Sequence, residues 1–238
     1  MGVRFRNWCC TVYLKNGDEQ MILFIYGASG AAIEIYDLAE RVNTVSQRYS
    51  KIYLIDDFEE EVSYYGTERI HFSSCETIAQ EEFEFVIAVG EPSARAFLLK
   101  RIEESGYKLA TLIDPSVIVS PTAKISPGCI VNAQSIVSAN VIMEENCFLG
   151  FHVVVGHDAH LKKNTVVCPM ATVGGGSTVG ENTFIGLNSS MKEHVNLGNH
   201  VVVGMGSMVF RSVEDGCTVL GNPARVTKGN DDHKVFRN

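Results

Sequence analysis

His157 is followed directly by Asp158, and in this 238-residue chain that pair is the one best suited to moving a proton. A neutral imidazole takes up a proton near pH 7, and an adjacent carboxylate can fix its tautomer and support the imidazolium that forms. A solvated surface corner would carry the same two residues, so their place in the fold matters. A second arrangement with chemical meaning is Gly27-Ala28-Ser29-Gly30, which follows the apolar run Met21–Tyr26 and precedes a helix-like run. Backbone N–H groups and the helix dipole converge at such a turn, which can cradle a phosphate. The pattern is Gly-x-x-Gly and not the full G-x-G-x-x-G, so it does not specify a dinucleotide. Asp56 and Asp57 lie at about the distance downstream where an acid reaches a ribose hydroxyl or a base; the alternative is a solvated strand end. His152, His157 and His160 are clustered, but catalytic zinc needs three protein ligands and an open position. Cys168 is the first thiol after His157 along the chain, yet nothing nearby supplies it with a base.

The elements that position His157 are written in a repeat. Every sixth residue from Val119 through Ile125, Val131, Val137 and Met143 to Val203 and Val209 is aliphatic, without a slip. Four residues after each comes a small or β-branched side chain, such as Ala123, Cys129, Ser135, Ala171 and Ser207. Gly often follows the aliphatic residue directly, as at Gly150, Gly156, Gly174 and Gly186. Period six fits neither a helix nor a simple alternating strand. It fits a short strand plus a corner, three of which close one triangular coil. The aliphatic residues fill the prism and successive coils stack. The strict interior pattern leaves His157 and Asp158 at a corner, outside the core. His194 and His200 also read as surface corners.

The first half has a β-α-β order. Strands are expected at Met21–Tyr26, Lys51–Ile55, Phe83–Val89 and Tyr107–Ile113. One helix is expected from Ala31 to Val42, with Ile33, Tyr36 and Leu38 among its apolar positions. A second is expected from Ser93 to Ser105, with Ala94, Phe97, Leu98 and Ile102 inward and Gly106 closing it. That order implies a small parallel sheet. The expected fold class is therefore an α/β N-terminal domain, small-sheeted and Rossmann-like, followed by a left-handed parallel β-helix. The expected divisions are residues 1–20 as an extension, 21–114 as the α/β domain, 115–227 as the coil with its cap, and 228–238 as a frayed charged tail.

Composition narrows the function classes. The net charge is −8 and no Lys/Arg stripe occurs, which argues against a nucleic-acid partner. No apolar run approaches the ~20 residues that span a bilayer, and the first twenty residues lack the uninterrupted apolar core of a signal peptide. Residues 1–20 read as an extra strand or as an extension upstream of a start at Met21. The seven cysteines are scattered with no C-x-x-C, as expected of free thiols in a reducing cytoplasm.

Six motifs spread from residue 25 to residue 224 carry a family resemblance: Ile25-Tyr26-Gly27-Ala28-Ser29-Gly30, Leu54-Ile55-Asp56-Asp57, Ala88-Val89-Gly90, Ile113-Asp114-Pro115, Gly156-His157-Asp158 and Gly221-Asn222-Pro223-Ala224. Over residues 21 to about 227 the chain resembles the bacterial sugar acetyltransferases that act on nucleotide-linked amino sugars, and the related sialic acid O-acetyltransferases. The resemblance implies a cytoplasmic homotrimer that moves an acetyl group from acetyl-CoA to a sugar amine, a 4-amino-4,6-dideoxy sugar being expected, for surface glycan synthesis. It implies His157 and Asp158 as the catalytic pair, with no metal. It implies a nucleotide-sugar site at Gly27, Ser29, Gly30, Asp56, Asp57 and Gly90. By position in the coil, Gly174, Gly175, Leu187 and Met205 are expected to bind acetyl-CoA. Many relatives carry a second His nine positions after the first, where this chain has Val166. Sialic acid or other sugar O-acetylation is the alternative reading. Two further readings rank lower. His152-x4-His157 resembles a pair in γ-class carbonic anhydrases, but residues 116–151 hold no third His. A non-catalytic trimeric scaffold is the other.

Overall fold

The computed structural model describes residues 21–58, 63–64, 66–79 and 81–236; the expected extension, residues 1–20, lies outside them. Strand β1 (Met21–Tyr26) is buried along almost its whole length, as a continuous apolar run in a parallel sheet should be. It leads into helix α1 (Gly30–Ser46), then β2 (Tyr49–Ile55), β3 (Ser63–Tyr64) and β4 (Thr67–Ile70). A short helix α2 (Cys75–Ile78), strand β5 (Phe83–Ile87) and helix α3 (Pro92–Glu104) complete this half. The sheet order is β3-β4-β2-β1-β5, with β1 parallel to both β2 and β5. The chain therefore leaves β1 in one direction for β2 and later returns on the other side at β5. The carboxyl ends of β1, β2 and β5 therefore lie side by side at one end of the sheet, where α/β sheets of this kind bind ligands.

From Ile118 to Val209 the chain makes two-residue strands at a spacing of six residues, joined by two-residue corners. The strands stack in parallel into three sheets that form the faces of a left-handed coil. The interior is the aliphatic series of the repeat: Val131, Val137, Met143, Leu149, Val155, Leu161, Val167 and Val173 are all fully buried. Small side chains at the fifth repeat position, including Ser135, Thr165, Ser177 and Ser207, are buried too. Ser135 and Thr165 satisfy their hydroxyls on neighbouring backbone carbonyls. Corner residues take the left-handed conformation, including Asn140, His152, Asp158, Asn164 and His194. Asn and Asp tolerate that region best, which explains their frequency there.

Two expectations for the first half, the inward face of the second helix and the fourth strand, need correction. The buried stripe of α1 is Ala32, Ile35, Leu38, Ala39 and Val42, with Ile33 and Tyr36 at its margin. In α3 the fully inward residue is Arg95, with Leu99 and Ile102, whereas Phe97 is 67% exposed. Helix α3 packs between the sheet and the coil, so its buried stripe is set by two neighbours at once. The strand expected over Tyr107–Ile113 is broken. Leu109 bridges Phe85 in the first sheet, while β6 (Leu112–Ile113) pairs with Ile130–Val131 of the coil. Strands β3 and β4, which extend the sheet beyond β2, were not anticipated.

The two halves are locked together by polar groups. Arg41 Nε donates to Asp114 at 2.6 Å, and Asp114 also accepts from the Ser116 N–H and hydroxyl. Burial alone would raise the Asp114 pKa, but Ser116 and Arg41 outweigh it and hold it below the usual carboxylate range. Arg95 reaches from α3 to the coil corner at Asn146. After the coil, Cys217–Gly221 and Ala224–Gly229 form an antiparallel cap. The described residues beyond it, 230–236, are not frayed. Asn230 is buried and donates to the His200 carbonyl, His233 stacks on His200 with ring centroids 3.8 Å apart, and Glu91 accepts the N–H groups of Val235 and Phe236.

Candidate active site

Three coil edges run the length of the prism, and each repeats after eighteen residues. Asp158 lies on the edge that also carries Asn140, Gly176 and His194. Its backbone is held there by the N–H bond to Ala139 O, 2.9 Å. One carboxylate oxygen faces His157 Nδ1 at 2.7 Å, and the other accepts from Asn140 Nδ2 at 2.9 Å. Asn140 and then His157 hold the Asp158 carboxyl below its ordinary pKa, so it is ionised at neutral pH. An ionised carboxylate can only accept, so Nδ1 of the neutral imidazole carries the hydrogen and Nε2 keeps its lone pair. That lone pair faces a bare strip of backbone. A Cβ on Gly175 would stand 3.1 Å from Nε2. The imidazole is thus oriented by one neighbour and open toward the groove beside Gly175, with 70% of its side chain exposed. Asn140 escaped the reading of the sequence. Its signal is the eighteen-residue spacing, which places it one coil below Asp158.

The glycines of this edge are required by close stacking. A Cβ on Gly174 would lie 2.4 Å from Glu193 N, and one on Gly156 would lie 2.5 Å from Gly175 N. Gly175 lies against the His157 ring, while Gly174 packs on the backbone of Lys192 and Glu193 in the next coil. Leu187 and Met205 lie on a different edge, with Phe151 and Met170, and are 46% and 70% exposed. Within one chain, the four residues expected to bind acetyl-CoA are not brought together.

The other expected residues follow the carboxyl ends of neighbouring parallel strands. Gly27, Ser29 and Gly30 follow β1, Asp56 and Asp57 follow β2, and Gly90 follows β5. Gly27 has φ +132°, and a Cβ there would meet the Ala88 carbonyl oxygen at 2.9 Å, so the turn needs glycine. Ser29 precedes the first turn of α1 without capping it through its side chain, and Gly30 meets nothing, so the turn is open. Asp57 is engaged. It accepts from the Tyr26 hydroxyl, from Arg101 Nη1 and from the Phe72 N–H, with His71 Nε2 at 3.3 Å. Burial would raise its pKa, but Tyr26, Phe72 and Arg101 together lower it. Burial, then Asp57, raises the pKa of Tyr26. Asp56 accepts from the Phe58 N–H and pairs with Arg69 at 3.5 Å.

Among the described residues no group of three His, Cys, Asp or Glu side chains could hold a metal ion. His160 faces away into a pair with Glu144, 2.7 Å. The Cys168 thiol is pushed up to about 12 by burial, which leaves almost no thiolate at neutral pH. No helix among the described residues is long and apolar enough to cross a membrane.

A parallel α/β sheet joined to a triangular coil that presents an oriented histidine against glycine backbone has the build of a coil-type acyltransferase. The comparisons agree. Residues 22–102 match the PglD N-terminal domain family and residues 176–211 match the hexapeptide repeat of succinyl-transferase. Among solved structures, the acetyltransferase domain of PglB from Neisseria gonorrhoeae is 27% identical over 87% of this chain and 99% of that one, with a TM-score of 0.80. The same domain in complex with acetyl coenzyme A is 28% identical over 87% and 100%, with a TM-score of 0.82. PerB from Caulobacter crescentus, in complex with CoA and GDP-perosamine, shares the fold at 22% identity over 87% and 97%, with a TM-score of 0.79. A search of curated protein sequences finds no match. The chain thus joins a PglD-type N-terminal domain to a hexapeptide-repeat coil, and over most of its length it is similar to the acetyltransferase domain of PglB.

Proposed function

We propose that this chain is an acetyl-CoA-dependent N-acetyltransferase whose acceptor is the amino group of a nucleotide-linked sugar. The observation that carries the reading is the His157–Asp158–Asn140 chain beside Gly175, on a fold whose similar structures hold acetyl coenzyme A, or CoA with GDP-perosamine. The domain at residues 21–114 binds the nucleotide end, with Gly27, Ser29, Gly30, Asp56, Asp57 and Gly90 at the carboxyl ends of its parallel strands. The coil at residues 115–227 binds acetyl-CoA. Gly174 and Gly175 lie on one edge while Leu187 and Met205 lie on another, so a groove that uses all four needs two copies of the chain. That supports a homotrimer with the acyl-CoA site between neighbouring subunits, working in the cytoplasm.

The chemistry follows from the tautomer. The neutral amine attacks the thioester carbonyl, and His157 Nε2 takes the proton as the C–N bond forms. Asp158, ionised and braced by Asn140, supports the imidazolium. Backbone N–H groups at the corner, Gly175 among them, face the developing oxyanion. Transfer is direct, because a protonated, half-buried Cys168 is a poor acyl acceptor.

A general base contributes roughly 10²–10⁴ in rate. His157→Asn should therefore lower kcat by about that factor while acetyl-CoA affinity, measured by calorimetry, stays nearly unchanged. Near-wild-type turnover in His157→Asn would remove the assignment.

A further inference from the structure

The corner two coils above Asp158 carries His194, and the corner between them carries Gly176. Gly176 has φ +63°, and a Cβ built on it would stand 2.5 Å from His194 Nδ1 and 2.6 Å from its Cε1. The His194 ring therefore occupies the space that a side chain at 176 would fill. It leans back along the edge toward His157 instead of extending from its own coil. Its backbone is fixed by the N–H bond to Gly175 O at 2.9 Å. The His157 ring does the same against Gly175, with Nε2 3.1 Å from the position of a Cβ. Two imidazoles thus rest on two consecutive glycines, one from the coil before them and one from the coil after. The charge of His194 reaches Asp158 and adds to the lowering of its pKa.

We propose that His194 is a second catalytic imidazole, the acid that protonates the departing sulfur of CoA while His157 takes the proton of the amine. The proposal rests on the reading of His157 as the base. As the C–N bond forms, the amine proton passes to His157 Nε2. As the C–S bond breaks, the proton of the His194 imidazolium passes to sulfur, giving CoA thiol. The N-acetyl product, protonated His157 and neutral His194 remain, and exchange with solvent restores both rings. A simple thiol ionises near pH 8.5, so an acid beside it eases its departure at neutral pH. The charged groups around His194 are Asp158, and His157 when protonated, on the same edge, Glu193 and its partner Lys192 on its own coil, and Arg211 one coil further along that edge.

The test is a pH profile of kcat/KM on the full chain, with wild type, His194→Asn and His157→Asn side by side. Asn is the substitution of choice, because His194 has φ +56° and Asn accepts that conformation. His194→Gln is the second variant should His194→Asn melt early. Wild type should give a bell. His194→Asn should lose roughly 10²-fold in kcat, keep its affinity for acetyl-CoA, and lose the alkaline limb that reports the acid. His157→Asn should instead lose the acidic limb that reports the base. A His194 variant with kcat within about twofold of wild type and its alkaline limb intact, beside a crippled His157→Asn, overturns the proposal alone. Full activity in His157→Asn overturns the proposal together with the reading of the base.

Discussion

Replacing Arg95 tests how the two halves of the chain hold each other. Its guanidinium is fully buried, yet none of its hydrogen-bond partners is a carboxylate. It donates to Ile87 O at 2.6 Å and Val89 O at 3.1 Å, at the end of β5. It also donates to Asn146 O at 2.8 Å and Asn146 Oδ1 at 2.6 Å, on the coil. Burial pushes its pKa down to about 10, so it remains charged at neutral pH. In Arg95→Met the side-chain volume is kept and four buried acceptors lose this donor. At about 1 kcal/mol for each acceptor, the gross loss is roughly 4 kcal/mol. Relief from burying a charge offsets part of it, which leaves about 2–3 kcal/mol. A chain of this size loses about 2–4 °C per kcal/mol, so the melting temperature should fall by roughly 4–12 °C. Lys100→Met, on the exposed side of the same helix, is the control and should stay within about 0.5 kcal/mol of wild type. Urea unfolding followed by circular dichroism reads both. A loss below about 1 kcal/mol in Arg95→Met, or one equal to the control, would refute the reasoning, because the acceptors would then be satisfied without the guanidinium.

Two further outcomes follow from the coil and its tail. Gly174→Ala places a Cβ 2.4 Å from Glu193 N and 2.5 Å from Lys192 C, both backbone. The coils must part at that point, so acetyl-CoA affinity should fall at least tenfold; unchanged calorimetric affinity would place the groove elsewhere. Burial, and then the neighbouring His233, lower the His200 pKa, against the opposing pull of Asp215 and Glu181. The folded state thus favours the neutral ring. Its contribution to stability is complete above the unfolded value near 6.5 and declines as pH falls through 6.5 toward the folded value. An NMR titration of His200 should show a midpoint below 6.5, and a midpoint above it would contradict the stacked tail.

The coil was legible because its interior repeats at a fixed period and tolerates no polar substitution from Val131 to Val209. The strands Met21–Tyr26 and Phe83–Ile87 were legible as apolar runs ended by glycine or by a loop. Helix α3 was misread because Arg95, a charge, marks its most buried position, and Phe97, an aromatic ring, points outward. Only the docking of the helix against the coil corner at Asn146 decides that. The tail was misread for a similar reason. Its charged composition suggests solvent, but Glu91, far away in sequence, accepts its N–H groups. At the site, neighbours in sequence were readable and neighbours across coils were not. His157 and Asp158 are adjacent, whereas Asn140 joins them only through the eighteen-residue coil and was passed over; His194, read as a surface corner, is an exposed corner residue on the same edge.

Acetyl transfer from acetyl-CoA to a nucleotide-linked amino sugar is the activity proposed for this chain. The most direct measurement incubates the full chain with acetyl-CoA and a panel of UDP-, dTDP-, GDP- and CMP-linked amino sugars, with free sialic acid beside them. CoA thiol release and product mass are followed together. At least one nucleotide-linked amino sugar should release CoA in equal amount to an N-acetylated product. CoA release with sialic acid alone, or with none of the panel, would contradict it.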